Sequence, residues 1–378
     1  MPNKHALLSA SSAYRWMACP PSAKLASSYK DESSTYAAVG TDAHSLCEYK
    51  LKTALGRKAD DPTEDLTYFN EEMDASSDAY AGYALEQLEA AKKGTADPVV
   101  LIEQQVDFSR WVPQGFGTAD CVIVADKVLT VIDFKYGQGV LVEAENNPQM
   151  MCYALGALSM MDALYDIEKV IMTIFQPRRD NISSFRLSVK TLYDWAEKEL
   201  KPKAHLAFEG KGDYAAGDWC RFCKAKVDCR ARAEANLALA KFDFEMPPTL
   251  SDADIEAILP MLDDLTSWAA DLKDYALSRA LSGKVWHGFK LVEGRSNRRY
   301  LNEEAVAQTV IDAGFDPYEK KLLGIIAMQK LLSKKRFEEL LGSLIEKPQG
   351  KPSLVPESDK RPAMQTANQD FKEENDND

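Results

Sequence analysis

The stretch that decides the fold is GTADCVIVADKVLTVIDFK, residues 117–135. Two β-branched runs flank Asp126 and Lys127, a pattern that predicts an antiparallel hairpin with a two-residue loop. With that loop, Asp120 lies directly opposite Asp133, with Cβ atoms about 4.5–5.5 Å apart. Lys135 follows Asp133 by two residues and so points to the same face. A three-residue loop would instead place the two aspartates on opposite faces.

Two carboxylates on an otherwise apolar hairpin repel each other and are costly to bury, so we expect a cation between Asp120 and Asp133. Mg²⁺ binds few carboxylates and keeps several waters, which leaves room for a phosphate oxygen and an attacking water. Lys135 could orient or deprotonate that water and offset charge on phosphorus. The alternative is a surface ion pair of Asp133 with Lys135, with Asp120 as a turn residue.

The segments around the hairpin predict an α/β core. Short β-branched runs indicate further strands at 99–108, 169–176 and 183–189. Apolar residues at helical spacing and capping residues indicate helices at 10–19, 42–55, 76–93 and 147–165.

Gly117-x-x-Asp120 followed by Asp133-Phe134-Lys135 resembles the metal-binding signature of the PD-(D/E)XK nuclease superfamily. GTDAHSLCE at 40–48, with His44, and NNPQMMCYALGAL at 146–158 resemble two motifs of the RecB-like branch, in that family's order along the chain. The fold that this resemblance implies is a restriction-endonuclease-like core, a mixed β-sheet flanked by helices, with an iron–sulfur-stapled helical region.

The resemblance also implies roles for individual residues. His44, Asp120, Asp133 and the Phe134 carbonyl would hold Mg²⁺ or Mn²⁺. Lys135 would act in catalysis, and a Gln-x-x-x-Tyr motif would position DNA or this lysine. That motif consists of Gln149 and Tyr153.

Cysteines form a second pattern, Cys220-x2-Cys223-x5-Cys229. Three thiolates so close together would be oxidisable without a bound cation or cluster. Cys19 resembles the isolated early cysteine of iron–sulfur RecB-like nucleases, which include AddB-like and CRISPR-associated members. The resemblance implies a structural 4Fe-4S cluster on these four cysteines. A tetrahedral Zn²⁺ site on the same sulfurs is the alternative.

Composition places limits on partners and compartment. The 378 residues include 59 acidic and 46 basic side chains, a net charge of −13, which argues against indiscriminate polyanion binding. Local arginines remain candidates for phosphate contacts, with a solvated charged face as the alternative. They are Arg178, Arg179, Arg295, Arg298 and Arg299. No stretch predicts a membrane span or a secretory signal, so we expect a protein of the bacterial cytoplasm.

The predicted organisation is a nuclease domain over 1–243, a linker over 244–251, a mostly helical domain without readable chemistry over 252–345, and a disordered acidic tail over 346–378. This combination resembles uncharacterised phage- and prophage-encoded RecB-like proteins. The implied function is a metal-dependent DNA exonuclease in phage recombination, repair or replication, with DNA as partner and a phage recombinase or single-strand-binding protein as a further candidate. The alternative is an inactive DNA-binding or recombinase-loading adaptor with a structural metal–cysteine site.

Overall fold

The computed structural model describes residues 6–29, 35–161, 164–238, 250–293, 300–319, 322–332, 334–346 and 354–355. The chain divides into two compact units, residues 1–282 and 283–378. The boundary expected at 244–251 therefore lies inside the first unit, which extends to residue 282. Residues 244–249 of that segment, and all of the predicted tail except 346 and 354–355, lie outside the described residues.

One mixed sheet forms the centre of the first unit. Its five strands lie side by side in chain order. They are β1 (Val99–Asp107), β2 (Phe116–Ala125), β3 (Lys127–Phe134), β4 (Ile167–Gln176) and β5 (Asn181–Ser188). All neighbouring pairs are antiparallel except β3 and β4, which are parallel. The prediction of an α/β fold with a mixed sheet is thereby confirmed.

The hairpin of β2 and β3 has the predicted register. Cys121 faces Ile132 and Ala125 faces Val128, as a two-residue connection requires. Lys127 adopts the left-handed backbone conformation, with φ 68°, which lets the chain reverse within this short loop. One position beyond the Cys121–Ile132 pair, the same register aligns Asp120 with Asp133.

Helices cover both faces of this sheet. In chain order the helices of the first unit are α1 (Ala13–Ala18), α2 (Ser22–Ser27), α3 (Thr35–Ala54), α4 (Glu71–Lys92), α5 (Pro148–Met161), α6 (Val189–Trp195), α7 (Lys201–Glu209), α8 (Arg230–Leu237), α9 (Asp252–Ile258) and α10 (Leu262–Leu281). A π-helical turn, Ala196–Leu200, joins α6 to α7. Helix α3 is longer than predicted because Gly40 lies inside it, and α4 starts earlier because Asn70 Oδ1 accepts the Met73 N–H.

Strict alternation along the hairpin gives two apolar layers. Val122 and Val131 belong to the cluster that includes α5, whereas Ile123 and Ile132 belong to the cluster that includes α3 and α4. By the same alternation Asp120 and Asp133 lie on the α5 side of the sheet. Because β3 ends at Phe134, residues of α3 can also reach this region.

The described part of the second unit is helical. It contains α11 (Glu303–Asp312), α12 (Ile325–Leu332) and α13 (Lys334–Leu341). Within the described ranges, no helix of either unit has the length and apolar character needed to cross a bilayer.

Candidate active site

Three carboxylates occupy neighbouring register positions on β1, β2 and β3. The ladder pairs on either side of Glu103 align it with Asp120, and Asp120 is aligned with Asp133 on its other side. Glu103 has φ 48°, an uncommon conformation for a residue with a side chain. Sequence reasoning missed Glu103. Its signal was a single acid within the β-branched run 99–108.

The two aspartates are buried and already contacted. Asp120 is 8% exposed and Asp133 is 2% exposed. Asp120 Oδ2 accepts the Phe134 N–H at 2.7 Å. Asp133 Oδ1 accepts a hydrogen bond from Gln149 Nε2 at 3.1 Å, and its Oδ2 lies 2.9 Å from Lys135 Nζ. These contacts hold both carboxylates in defined orientations at the end of β3.

His44 reaches the carboxylates from α3. Its Nδ1 lies 3.4 Å from Asp120 Oδ1 and 4.0 Å from Glu103 Oε1. One potential ligand atom from each of these three residues lies within 4.8 Å of the others, and no other His, Cys, Asp or Glu group of three in the described ranges meets this limit. The structure thus brings His44 and Asp120 together as predicted and adds Glu103.

Gln149 connects the remaining predicted residues. Lys135 Nζ donates to Gln149 Oε1 at 3.2 Å, and Gln149 Nε2 donates to Tyr153 Oη at 3.1 Å as well as to Asp133. Tyr153 packs against Gly117, where a Cβ would lie 2.8 Å from Tyr153 Cε1. The glycine of the Gly117-x-x-Asp120 motif is therefore required by close packing against the tyrosine of the other motif.

Two basic side chains, His44 and Lys135, lie beside the carboxylates of Asp120 and Asp133. Burial alone would lower the pKa of His44, but the charge of Asp120 and its hydrogen bond raise it to about 9. Burial likewise opposes the charged form of Lys135, but Asp133 and Asp120 raise its pKa. In the metal-free protein an imidazolium and an ammonium therefore balance the carboxylates at neutral pH.

The carboxyl groups themselves respond differently to this environment. Burial would raise the pKa of Asp120, yet His44 outweighs burial and holds it below its usual value. Burial raises the pKa of Asp133 against the opposing charge of Lys135. Burial, followed by the charge of Asp120, raises the pKa of Glu103 to about 7. Burial is therefore the main cause of the raised pKa values of Asp133 and Glu103, and the charge of Asp120 adds to it.

The donor set fits a divalent cation. Asp133 Oδ2 is buried and, within the described part of the chain, accepts no well-aligned hydrogen bond, although Lys135 Nζ is close. Carboxylate oxygens with one imidazole nitrogen suit Mg²⁺ or Mn²⁺. Phe134 directs its N–H to Asp120, and the role of its carbonyl as a ligand stays a prediction.

The four predicted cysteine ligands meet at a second place. Cys19, at the end of α1, and Cys220, Cys223 and Cys229, before α8, all line one small pocket. The Ala215 N–H approaches Cys19 Sγ at 3.5 Å. In the described ranges no three of these sulfurs lie within 4.8 Å of one another. Cys19 therefore shares one pocket with three cysteines that are distant from it in the sequence.

Two of the five arginines predicted to contact DNA, Arg178 and Arg179, lie within the described residues. The Arg178 guanidinium pairs with Glu72 at 3.0 Å and covers the Tyr136 ring at 4.7 Å. Arg179 donates to the Gln138 carbonyl at 3.1 Å. Arg178 is thus held by protein contacts next to the site. The other three arginines, Arg295, Arg298 and Arg299, lie outside the described residues.

Comparison with known proteins finds a matching family model and a solved structure with a partial match. A family model described as "Protein of unknown function (DUF2800)" matches residues 5–362. A solved structure titled "Crystal structure of SSO0001" is 16% identical, and the match covers 49% of this chain and 95% of that chain with a TM-score of 0.21.

Proposed function

We propose that this chain, which belongs to the DUF2800 family of unknown function, is a metal-dependent deoxyribonuclease, and that it acts as an exonuclease. The observation that carries the proposal is the convergence of Asp120, Asp133 and Lys135 on one side of the sheet, with His44 at contact distance. This arrangement agrees with the resemblance of the motifs to the RecB-like branch of the PD-(D/E)XK superfamily.

His44, Asp120, Asp133 and the Phe134 carbonyl would hold Mg²⁺ or Mn²⁺, and the nitrogen ligand makes Mn²⁺ suitable. When bound, such an ion polarises a phosphate oxygen and makes a bound water more acidic. Glu103 lies close enough to His44 and Asp120 to contribute a further oxygen ligand.

Lys135 supplies positive charge beside the reacting phosphate. Its raised pKa keeps it an ammonium at neutral pH, so it donates hydrogen bonds and stabilises negative charge that develops on the phosphate oxygens. Gln149 contacts both Lys135 and Asp133 and restricts their orientation. Tyr153 in turn orients Gln149. Burial of these groups strengthens their electrostatic effect.

The cysteine pocket supports a proposal for a structural 4Fe-4S cluster. The pocket holds an early cysteine, Cys19, beside the late Cys220-x2-Cys223-x5-Cys229 pattern, the combination that resembles iron–sulfur RecB-like nucleases. A tetrahedral Zn²⁺ on the same four sulfurs is the alternative. Such a cluster would join the end of α1 to the segment that precedes α8.

Nuclease activity is tested with linear double-stranded and single-stranded DNA labelled at the 5′ or the 3′ end, with Mg²⁺ or Mn²⁺. We expect Asp133→Asn and Lys135→Met each to reduce the cleavage rate at least about 100-fold while DNA binding persists. Asp126→Asn in the hairpin loop and Lys169→Met on β4 are matched exposed controls. We expect both controls to cleave at the wild-type rate.

Two results would reject the proposal. Wild-type cleavage by either active-site variant would remove the roles assigned to Asp133 and Lys135. Binding of DNA without cleavage by the wild-type protein at any metal and salt concentration would instead favour the adaptor.

The cysteine assignment has an independent test. We expect anaerobically purified protein to contain iron and to absorb broadly near about 400 nm, whereas a zinc site is colourless. Cys223→Ser should remove the absorbance and lower the thermal midpoint. Cys152→Ser, which alters a thiol buried in α5, should keep the absorbance. Retained absorbance in Cys223→Ser would contradict the assignment.

A further inference from the structure

A buried charge network ties α10 to the segment that carries three of the four cysteines. Arg232, on α8 shortly after Cys229, is 0% exposed. Its Nη1 lies 2.7 Å from Asp271 Oδ2 and its Nη2 lies 3.3 Å from Asp264 Oδ1, both on α10. A fully buried guanidinium depends on such partners, because an unpaired buried charge is strongly destabilising.

Lys226 links this network to the cysteine pocket. It lines the pocket between Cys223 and Cys229, and its Nζ lies 2.5 Å from Asp271 Oδ1. The Lys226 carbonyl also accepts a hydrogen bond from Arg232 Nη1 at 3.2 Å. One lysine therefore borders the thiols and contacts α10.

The charge of the pocket depends on whether its ligand is bound. Four thiolates outweigh the two positive charges of a Zn²⁺ ion or an oxidised 4Fe-4S core, which leaves net negative charge. The cations that line the pocket are Arg15 and Lys226. Loading the site therefore adds an attraction that holds Lys226, and with it Asp271, in place.

The segment between the cysteines has little regular structure of its own to hold it. A short 3-10 turn at Asp218–Phe222 and isolated turn hydrogen bonds, such as the Lys226 N–H to the Cys223 carbonyl, shape it before α8 begins. Segments of this kind commonly become ordered only when their ligands bind.

We propose that the group held by the four cysteines anchors α10 through Lys226, Arg232 and Asp271, so that emptying the cysteine site releases residues 262–281 while the sheet stays folded. This inference rests on the proposed cysteine-held group and not on nuclease activity. Because α10 is the last helix before the second unit begins at Gly283, the state of the cysteine site controls how firmly the helix at that boundary is held.

Hydrogen exchange measured by mass spectrometry on the full chain tests the coupling. Anaerobically purified protein is compared with protein stripped by a chelator, and metal content is measured in both. We expect peptides from 262–281 to exchange at least about 10-fold faster in the stripped protein, because local opening then costs less free energy. Peptides from β3 and α5 should exchange at unchanged rates. Equal exchange of α10 in the two states would overturn the inference.

Variants test the reverse direction of the coupling. Since coupling between two sites is reciprocal, Asp271→Asn should release the bound group to a chelator at least about 5-fold faster than wild type. Asp274→Asn, an exposed position on the same helix with the same charge change, should release it at the wild-type rate. Equal release by the two variants would overturn the inference. Protein purified without iron or zinc would overturn it together with the cysteine assignment, whereas the nuclease assay would still decide the active site.

Discussion

Glu103 provides a sharp test of the electrostatics at the three neighbouring carboxylates of Glu103, Asp120 and Asp133. Its side chain is 28% exposed, and burial, followed by the charge of Asp120, raises its pKa from 4.5 to about 7. A carboxyl shifted in this way opposes folding when it is ionised. Glu103→Gln removes that charge and nearly preserves the shape, so we expect the metal-free variant to be more stable than wild type.

The sign and size of the effect follow from linkage. Below pH 4.5 the carboxyl is protonated in the folded and the unfolded chain, and its ionisation costs nothing. The cost grows as the pH rises from 4.5 and is complete above the folded-state pKa of about 7. It amounts to about 1 kcal/mol at pH 5 and about 3 kcal/mol at pH 8.

Thermal denaturation of the metal-free protein at these two pH values measures the difference. At about 2 °C per kcal/mol for a unit of this size, Glu103→Gln should raise the midpoint by roughly 6 °C at pH 8 and roughly 2 °C at pH 5. Glu86→Gln, an exposed position on α4, should change neither midpoint. Saturating Mn²⁺ should narrow the gap at pH 8, since a cation beside Glu103 offsets its charge. A variant no more stable than wild type at pH 8 would refute the reasoning.

Glycine contacts yield the remaining predictions. Gly156→Ala in α5 should lower stability by about 1–3 kcal/mol in chemical denaturation, because the new Cβ would lie 2.8 Å from Val106 Cβ. A Cβ added at Gly82 in α4 would meet no atom within 4 Å, so Gly82→Ala should raise stability by up to about 1 kcal/mol. Equal effects of the two substitutions would contradict the close packing at Gly156. Gly117→Ala should reduce DNA cleavage at least about 10-fold with an unchanged circular dichroism spectrum, because it displaces Tyr153. Wild-type cleavage would show that this contact is dispensable.

Much of the sheet and part of the site could be predicted from local pattern. Strands have a side-chain period of two, so one hairpin loop of known length sets the register of every pair along β2 and β3. The observed pairs follow that register, and Asp120, Asp133 and Lys135 consequently lie on one side. The cysteine spacing likewise grouped Cys220, Cys223 and Cys229 as candidate ligands, and the structure places all three at one pocket.

Contacts between distant segments could not be predicted from the sequence and became visible only in the tertiary structure. Glu103 reaches the site through the β1–β2 register, which depends on the irregular connection 108–115 and on a left-handed backbone at Glu103 itself. Arg178 could be assigned to Glu72 only once the end of β4 was packed near α4.

The sequence by itself determined the hairpin, the pairing of Asp120 with Asp133 and the cluster of late cysteines, because each depends on neighbours along the chain. Only the tertiary structure decided that Glu103 joins the acids, that Cys19 shares the thiol pocket and that Arg232 is buried against α10. The physical reason is that such contacts arise from how the whole core packs, and local spacing carries no information about which distant segment supplies the partner.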